Sequence, residues 1–210
     1  MPSPLGHALG AVAAGWVVGG RVWPGWHATL FSPWRGRERA GPRAFDLHST
    51  HVTTAFYLAA GVAPDLDLLA GSHSTYTHSV GAVGLVFVAT FGLCRWLLHD
   101  HPATAPARTP RFAAGVAAAW ASHILLDWLG SDSRAPIGVM ALWPFTSAHY
   151  QSGLYLFDAI SRRYWLPGQF VWGNLRAALK ECLLLGPVAA AAYWVTIAKG
   201  RKSRGSPGSN

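Results

Sequence analysis

Five apolar stretches alternate with polar or Pro- and Gly-rich ones along the chain. Pro4 to Gly20 carries no formal charge and is rich in Ala, Gly and Val. It falls a little short of the roughly 20 residues that cross a bilayer as a helix. Ser49 to Pro64 is apolar only in its second half and is the weakest of the five. Pro64 predicts its end, because the residue before a proline avoids the helical region. Ser79 to Leu98 is the clearest span, with Arg95 its only charge. Phe112 to Gly130 is a helix of small residues interrupted late by His123 and Asp127. Cys182 to Ala198 is the last span. Between the fourth and fifth lies Ser131 to Leu175, with Trp, Tyr, Pro and Gly but no continuous apolar run. Trp and Tyr favour the membrane interface, so interfacial helices are expected there.

This pattern predicts an all-α fold, a bundle of about five transmembrane or membrane-embedded helices. Residues 1–198 form one membrane-embedded domain, and 199–210 a flexible basic tail. Composition agrees. Of 210 residues 51% are hydrophobic and 12% charged, against about 25% charged in soluble domains. The N-terminal MPSPLGH lacks a positive region, so insertion is expected to rest on the spans rather than on a cleaved signal. Cys94 and Cys182 each sit in an apolar run and read as lone thiols.

Charge adds an orientation. The 17 Lys and Arg outnumber the 9 Asp and Glu, and they gather near the ends of apolar runs. No basic groove interleaved with aromatics is visible, so lipid headgroups are the expected partners and nucleic acid is not. Segments 21–44 and 95–111 and the tail hold twelve of the seventeen cations. By the positive-inside rule they face the cytoplasm. The N-terminus is then outside, together with 65–78.

The candidate chemistry falls on that outer side. Pro64 to Ser79 reads PDLDLLAGSHSTYTHS and brings Asp65, Asp67, His73 and His78 together. His73 and His78 are five apart and cannot share a regular helix face, so a loop wrapping an ion is expected, with Thr77 or Ser79 capping the next helix. His123 and Asp127 are four apart, on one helix face. Ionisable groups inside an apolar helix are costly and functional by default. His7 lies near the outer end of the first span. Asp132 is a further ligand, a base or a turn residue. His99-Asp100-His101 falls on the opposite side and reads as a solvated loop, and His48 and His51 lie apart from the main cluster. The donors are nitrogen and oxygen without thiolate, which suits Zn²⁺, Mn²⁺ or Fe²⁺. Seven candidates exceed one tetrahedral ion, so more than one divalent ion is expected. Closely spaced ions of this kind hydrolyse phosphoesters.

Five motifs, SPLGH at 3–7, PDLD at 64–67, HSTYTHS at 73–79, SHILLD at 122–127 and LWPF at 142–145, resemble the YdjM-like family of membrane-bound metal-dependent hydrolases, typified by a LexA-regulated inner-membrane protein. They come in the family's order. Where the family usually has His-Arg-Gly before Thr-His-Ser, this chain has His73-Ser74-Thr75-Tyr76, so a contact made by the Arg is missing. The His-x-x-x-Asp element is in turn similar to zinc-dependent phospholipase C and P1-type nucleases, which are all-helical and bind a zinc cluster. The resemblance implies a bacterial inner membrane, with His123 and Asp127 as metal ligands and His7, Asp65 or Asp67, and His78 completing the set.

The sequence therefore predicts a metal-dependent hydrolase acting on a phosphoester, of a small molecule or a lipid, at the non-cytoplasmic membrane face. Asp67 or Asp132 would be the general base. The rival is a metal-ion transporter or a non-catalytic metal-binding membrane protein.

Overall fold

The computed structural model describes residues 1–20, 47–71, 74–97, 109–132, 135–161 and 163–202. The predicted loop 21–44, His73, and His99-Asp100-His101 lie outside the described residues, as do the side chains of His48 and His51. Among the described residues five α-helices form the fold: α1 Pro4–Gly19, α2 Leu47–Val62, α3 Val80–Leu97, α4 Thr109–Leu129 and α5 Asn174–Lys202. There is no β-strand among the described residues; two isolated bridges, Gly130 with Phe157 and Val139 with Tyr150, are the only extended pairings among them. Four stretches are long and apolar enough to cross a membrane: Val52–Leu69, Val80–Leu97, Thr109–Leu129 and Gly168–Thr196. α1 is apolar but shorter. The chain is thus an all-helical protein with the spans of an integral membrane protein.

α4 is the centre. In its span 56% of residues are buried, against 11% in Val80–Leu97 and in Gly168–Thr196. It packs on α1, α2 and α3, while α5 lies against α1. Small residues make the close approach possible: a Cβ at Gly19 would come within 2.8 Å of the Gly115 Cα, and one at Gly15 within 2.3 Å of the Tyr57 ring. Membrane helices associate by such packing, because lipid offers no hydrophobic drive between them. Ala11, Tyr57, Ala60, Cys94, Phe112, Val116 and Ala119 form the core between these helices.

Three parts differ from the sequence expectation. The second span runs past Pro64 to Leu69, because Ala63–Ala70 continues α2 as a 3-10 helix that takes the proline in its first turn. The last helix begins at Asn174, with a wider-wound turn Gly168–Gly173 before it, instead of at Cys182. Its first turns tolerate Arg176 and Lys180 because these four-apart cations share a face that meets Asp158, at 3.6 and 3.0 Å. It also continues through Lys202, into the expected tail. The long segment after α4 holds no helix before Gly168 among the described residues. Backbone hydrogen bonds hold it across the end of the bundle: Met140 N donates to Ser74 O, Val80 N to Ala141 O, Gly81 N to Trp143 O and Ser131 N to Phe157 O.

Candidate metal centre

Contacts among the five described helices place the start of α1, the end of α2, the start of α3, the end of α4 and the start of α5 at one end of the bundle. The polar residues converge there. Val62 ends α2, and Ala63–Ala70 continues as a 3-10 helix with Pro64 in its first turn and Gly71 closing it in the left-handed region, φ 74°. Eight residues is long for this tighter winding, which usually runs three or four. The winding matters for the two carboxylates. Residues two apart diverge by about 120° on a three-residue turn, against about 160° on an α-helix. Asp65 and Asp67 can therefore both face the same neighbour, His78.

His78 sits in the short 3-10 turn Tyr76–His78. Ser79 then caps α3: its Oγ accepts from Ala82 N at 3.1 Å and donates to Tyr76 O at 2.6 Å. Thr77 has another task, its hydroxyl donating to Asp67 Oδ2 at 2.9 Å. Trp120 Nε1 of α4 donates to the Thr77 carbonyl at 2.8 Å and ties the turn to the central helix.

Asp65, His78, His123 and Asp127 form one group whose donor atoms all lie within 4.8 Å of one another. The two Nε2 atoms of His78 and His123 are 3.1 Å apart. Asp127 Oδ2 lies 3.3 Å from the first and 3.2 Å from the second. Asp65 Oδ1 lies 3.8 and 3.6 Å from them. These five of the six edges average about 3.4 Å, with the sixth, Asp65 to Asp127, within 4.8 Å; a regular tetrahedron of edge about 3.4 Å has its centre about 2.1 Å from each corner, the usual Zn–N and Zn–O distance.

The surroundings fix which nitrogens face inward. His78 Nδ1 faces Asp67 Oδ2 at 3.3 Å. His123 Nδ1 lies 2.7 Å from the Gly61 carbonyl, which accepts its proton. An outer partner of this kind sets the tautomer and leaves the opposite nitrogen free to bind a metal. Asp127 is buried; the ring nitrogens of His7, His78 and His123 lie 3.2–3.3 Å from its oxygens, none in good hydrogen-bond geometry. A buried anion in that state needs a cation, or it costs several kcal/mol. No Lys or Arg occurs between Arg43 and Arg95. Burial works against the charged form of His78, but Asp127, Asp65 and Asp67 outweigh it and push its pKa up to about 11. Without a metal, a proton is the cation the group retains. The donor set, its spacing and the buried carboxylate all fit a divalent ion, and the group could bind one.

The other predicted residues are distributed as follows. His7 stays outside the group of four but adjoins it: its ring stacks on His123 with centroids 3.7 Å apart, and its Nε2 lies 3.3 Å from Asp127 Oδ1. Asp67 is turned to the outer nitrogen of His78, not into the group. Asp132 is also outside it, with its Oδ2 accepting from Gly138 N at 3.1 Å. One buried carboxylate escaped the sequence reading. Glu181 of α5 is fully buried and accepts from Ser3 N at 2.7 Å. Its signal was a lone acid bordering the apolar run CLLL, one residue before the predicted span.

No family model, no curated protein and no solved structure matches the chain.

Proposed function

We propose that this protein is a membrane-embedded metal-dependent hydrolase that acts on a phosphoester, of a lipid or a small molecule, at the non-cytoplasmic face. The observation that supports this best is the asymmetry of the group. His78, His123 and Asp127 are buried at 0–1% exposure, whereas the Asp65 side chain is 26% exposed. Among the four donors Asp65 is the one open to water. Zn²⁺ is the first candidate, with Mn²⁺ or Fe²⁺ next. When bound, such an ion would lower the pKa of a water and stabilise charge on a phosphoryl oxygen. His78, His123 and Asp127 would hold it; Asp67 and Gly61 O would keep the two imidazoles turned inward. Asp65, at the open side, would hold the proton of an attacking water. A second ion would be bordered by His7 and Asp127 Oδ1. Membership of the YdjM-like family belongs to the same proposal and rests on the five motifs, and with it goes the bacterial inner membrane.

A second reading, a non-catalytic metal site, is favoured by one observation: four donors already complete a tetrahedron, as structural zinc sites do. Elemental analysis and a screen of lipid and nucleotide phosphoesters in detergent, with Zn²⁺ or Mn²⁺, separate the two. A hydrolase turns over at least one of them, and Asp65→Asn keeps the buried donors while losing turnover by about 10²–10⁴-fold. A wild-type protein that holds metal, is inert throughout, and melts at a lower temperature when stripped would be the structural site. Metal uptake into proteoliposomes would mark a transporter.

A further inference from the structure

Glu181 is a fully buried carboxylate in the last helix, and the group of four does not use it. Its position is nevertheless set by the same end of the bundle. Oε1 accepts from Ser3 N at 2.7 Å, and the Ser3 hydroxyl donates to Oε2. Ser3 is also the N-cap of α1, its Oγ accepting from Gly6 N at 3.3 Å. A negative charge belongs at this end of a helix, where the amide dipoles point. Gly6 is what lets α5 come so near: a Cβ there would lie 2.8 Å from Cδ and Oε2 of Glu181.

The cap leads to the metal group in one helical turn. Ser3 O accepts from His7 N at 3.1 Å, so the residue gripped by Glu181 begins the turn that ends at His7. His7 stacks on the ligand candidate His123 and meets Asp127 through Nε2. A shift of the cap therefore shifts the imidazole that backs two of the four donors.

We infer that Glu181 is a positioning residue for the metal centre, acting through Ser3 and the first turn of α1 on His7. The inference rests on the metal reading only for its functional consequence, and the test keeps the two apart. Zn²⁺ affinity is measured by competition with a chelating dye in detergent for wild type, Glu181→Ala, His7→Ala and the double variant. Glu181→Ala should weaken binding by about tenfold, in the range typical of lost supporting contacts. In the His7→Ala background the same change should cost less than about threefold, because the route to the site is already cut. Glu181→Gln, which keeps an acceptor for Ser3 N, should restore most of the affinity. The same four proteins are also melted without metal. Coupling between the two positions in the melts, in a wild type that binds no Zn²⁺, would keep the positioning role and sink the metal reading. Additive effects in both measurements, or a Glu181→Ala protein with wild-type Zn²⁺ affinity and melting temperature, would overturn the inference.

Discussion

At one end of the contact among α1, α2 and α4, the Tyr57 ring fills the space left by Gly15, Gly19 and Gly115, and its hydroxyl donates to Gly20 O at 2.9 Å. At the other end the same three helices, with the 3-10 helix that continues α2, bring His7, His123, Asp127 and Asp65 together. Both places are buried and both contain polar atoms. The Tyr57 end is complete in itself: the polar atom has its acceptor and the space is full. The histidine end is not: Asp127 faces three imidazoles at 3.2–3.3 Å, none in good hydrogen-bond geometry. Stability accounts for the first arrangement. The second gains nothing from being buried unless a cation joins it.

The contrast is broken most severely by Asp127→Ala. The helical circular dichroism should persist while elemental analysis finds no metal above background. Asp67→Ala comes next. It leaves the four donors and removes only the carboxylate behind His78, so Zn²⁺ affinity should fall by roughly 10–100-fold at unchanged stoichiometry. Gly15→Ala attacks the opposite end. Tyr57 has no room for the added methyl, and overpacking should cost about 1–3 kcal/mol in a reversible unfolding assay, with metal stoichiometry of the folded protein unchanged.

The titration of His78 sharpens the comparison. The metal-free folded protein holds His78 charged up to about pH 11, above the ordinary value near 6.5. The stability this contributes is full below pH 6.5 and is lost as pH rises through 11. A metal must displace that proton. Apparent affinity should therefore rise with pH between 6 and 8, by about tenfold per unit for one proton released. Calorimetry in buffers of different ionisation enthalpy reads the proton directly, and a heat independent of buffer would refute it. The smallest effect is Tyr57→Phe, which loses one hydrogen bond to Gly20 O and should cost about 1 kcal/mol, with Zn²⁺ affinity unchanged.

The spans were legible because a bilayer demands long apolar runs, and four of them stand out by length and composition. His123 and Asp127 were legible for the opposite reason, as ionisable groups where lipid should exclude them. The division of labour between Asp65 and Asp67 was not. Two carboxylates two residues apart look alike until the winding is known, and the run APDLDLLA does not announce an eight-residue 3-10 helix. Asp132 was legible only as a set of alternatives, since a turn and a ligand use the same side chain. Glu181 was hidden by its neighbours. It lies one residue outside the predicted span Cys182 to Ala198, whereas the structure turns Lys180 to Asp158 and Glu181 inward.

The hydrogen bond from Ser3 to Glu181 bridges 178 positions of sequence. During synthesis the first helix leaves the ribosome long before its partner exists, by roughly 10–40 s at 5–20 residues per second. His7 meanwhile waits for Asp127, 120 positions downstream. Such long loop closures are slow, and they come late. The metal group is therefore completed only after translation of α4, and the cap of α1 is fastened only after translation of α5. A truncation before residue 181 would leave the first helix without its anchor.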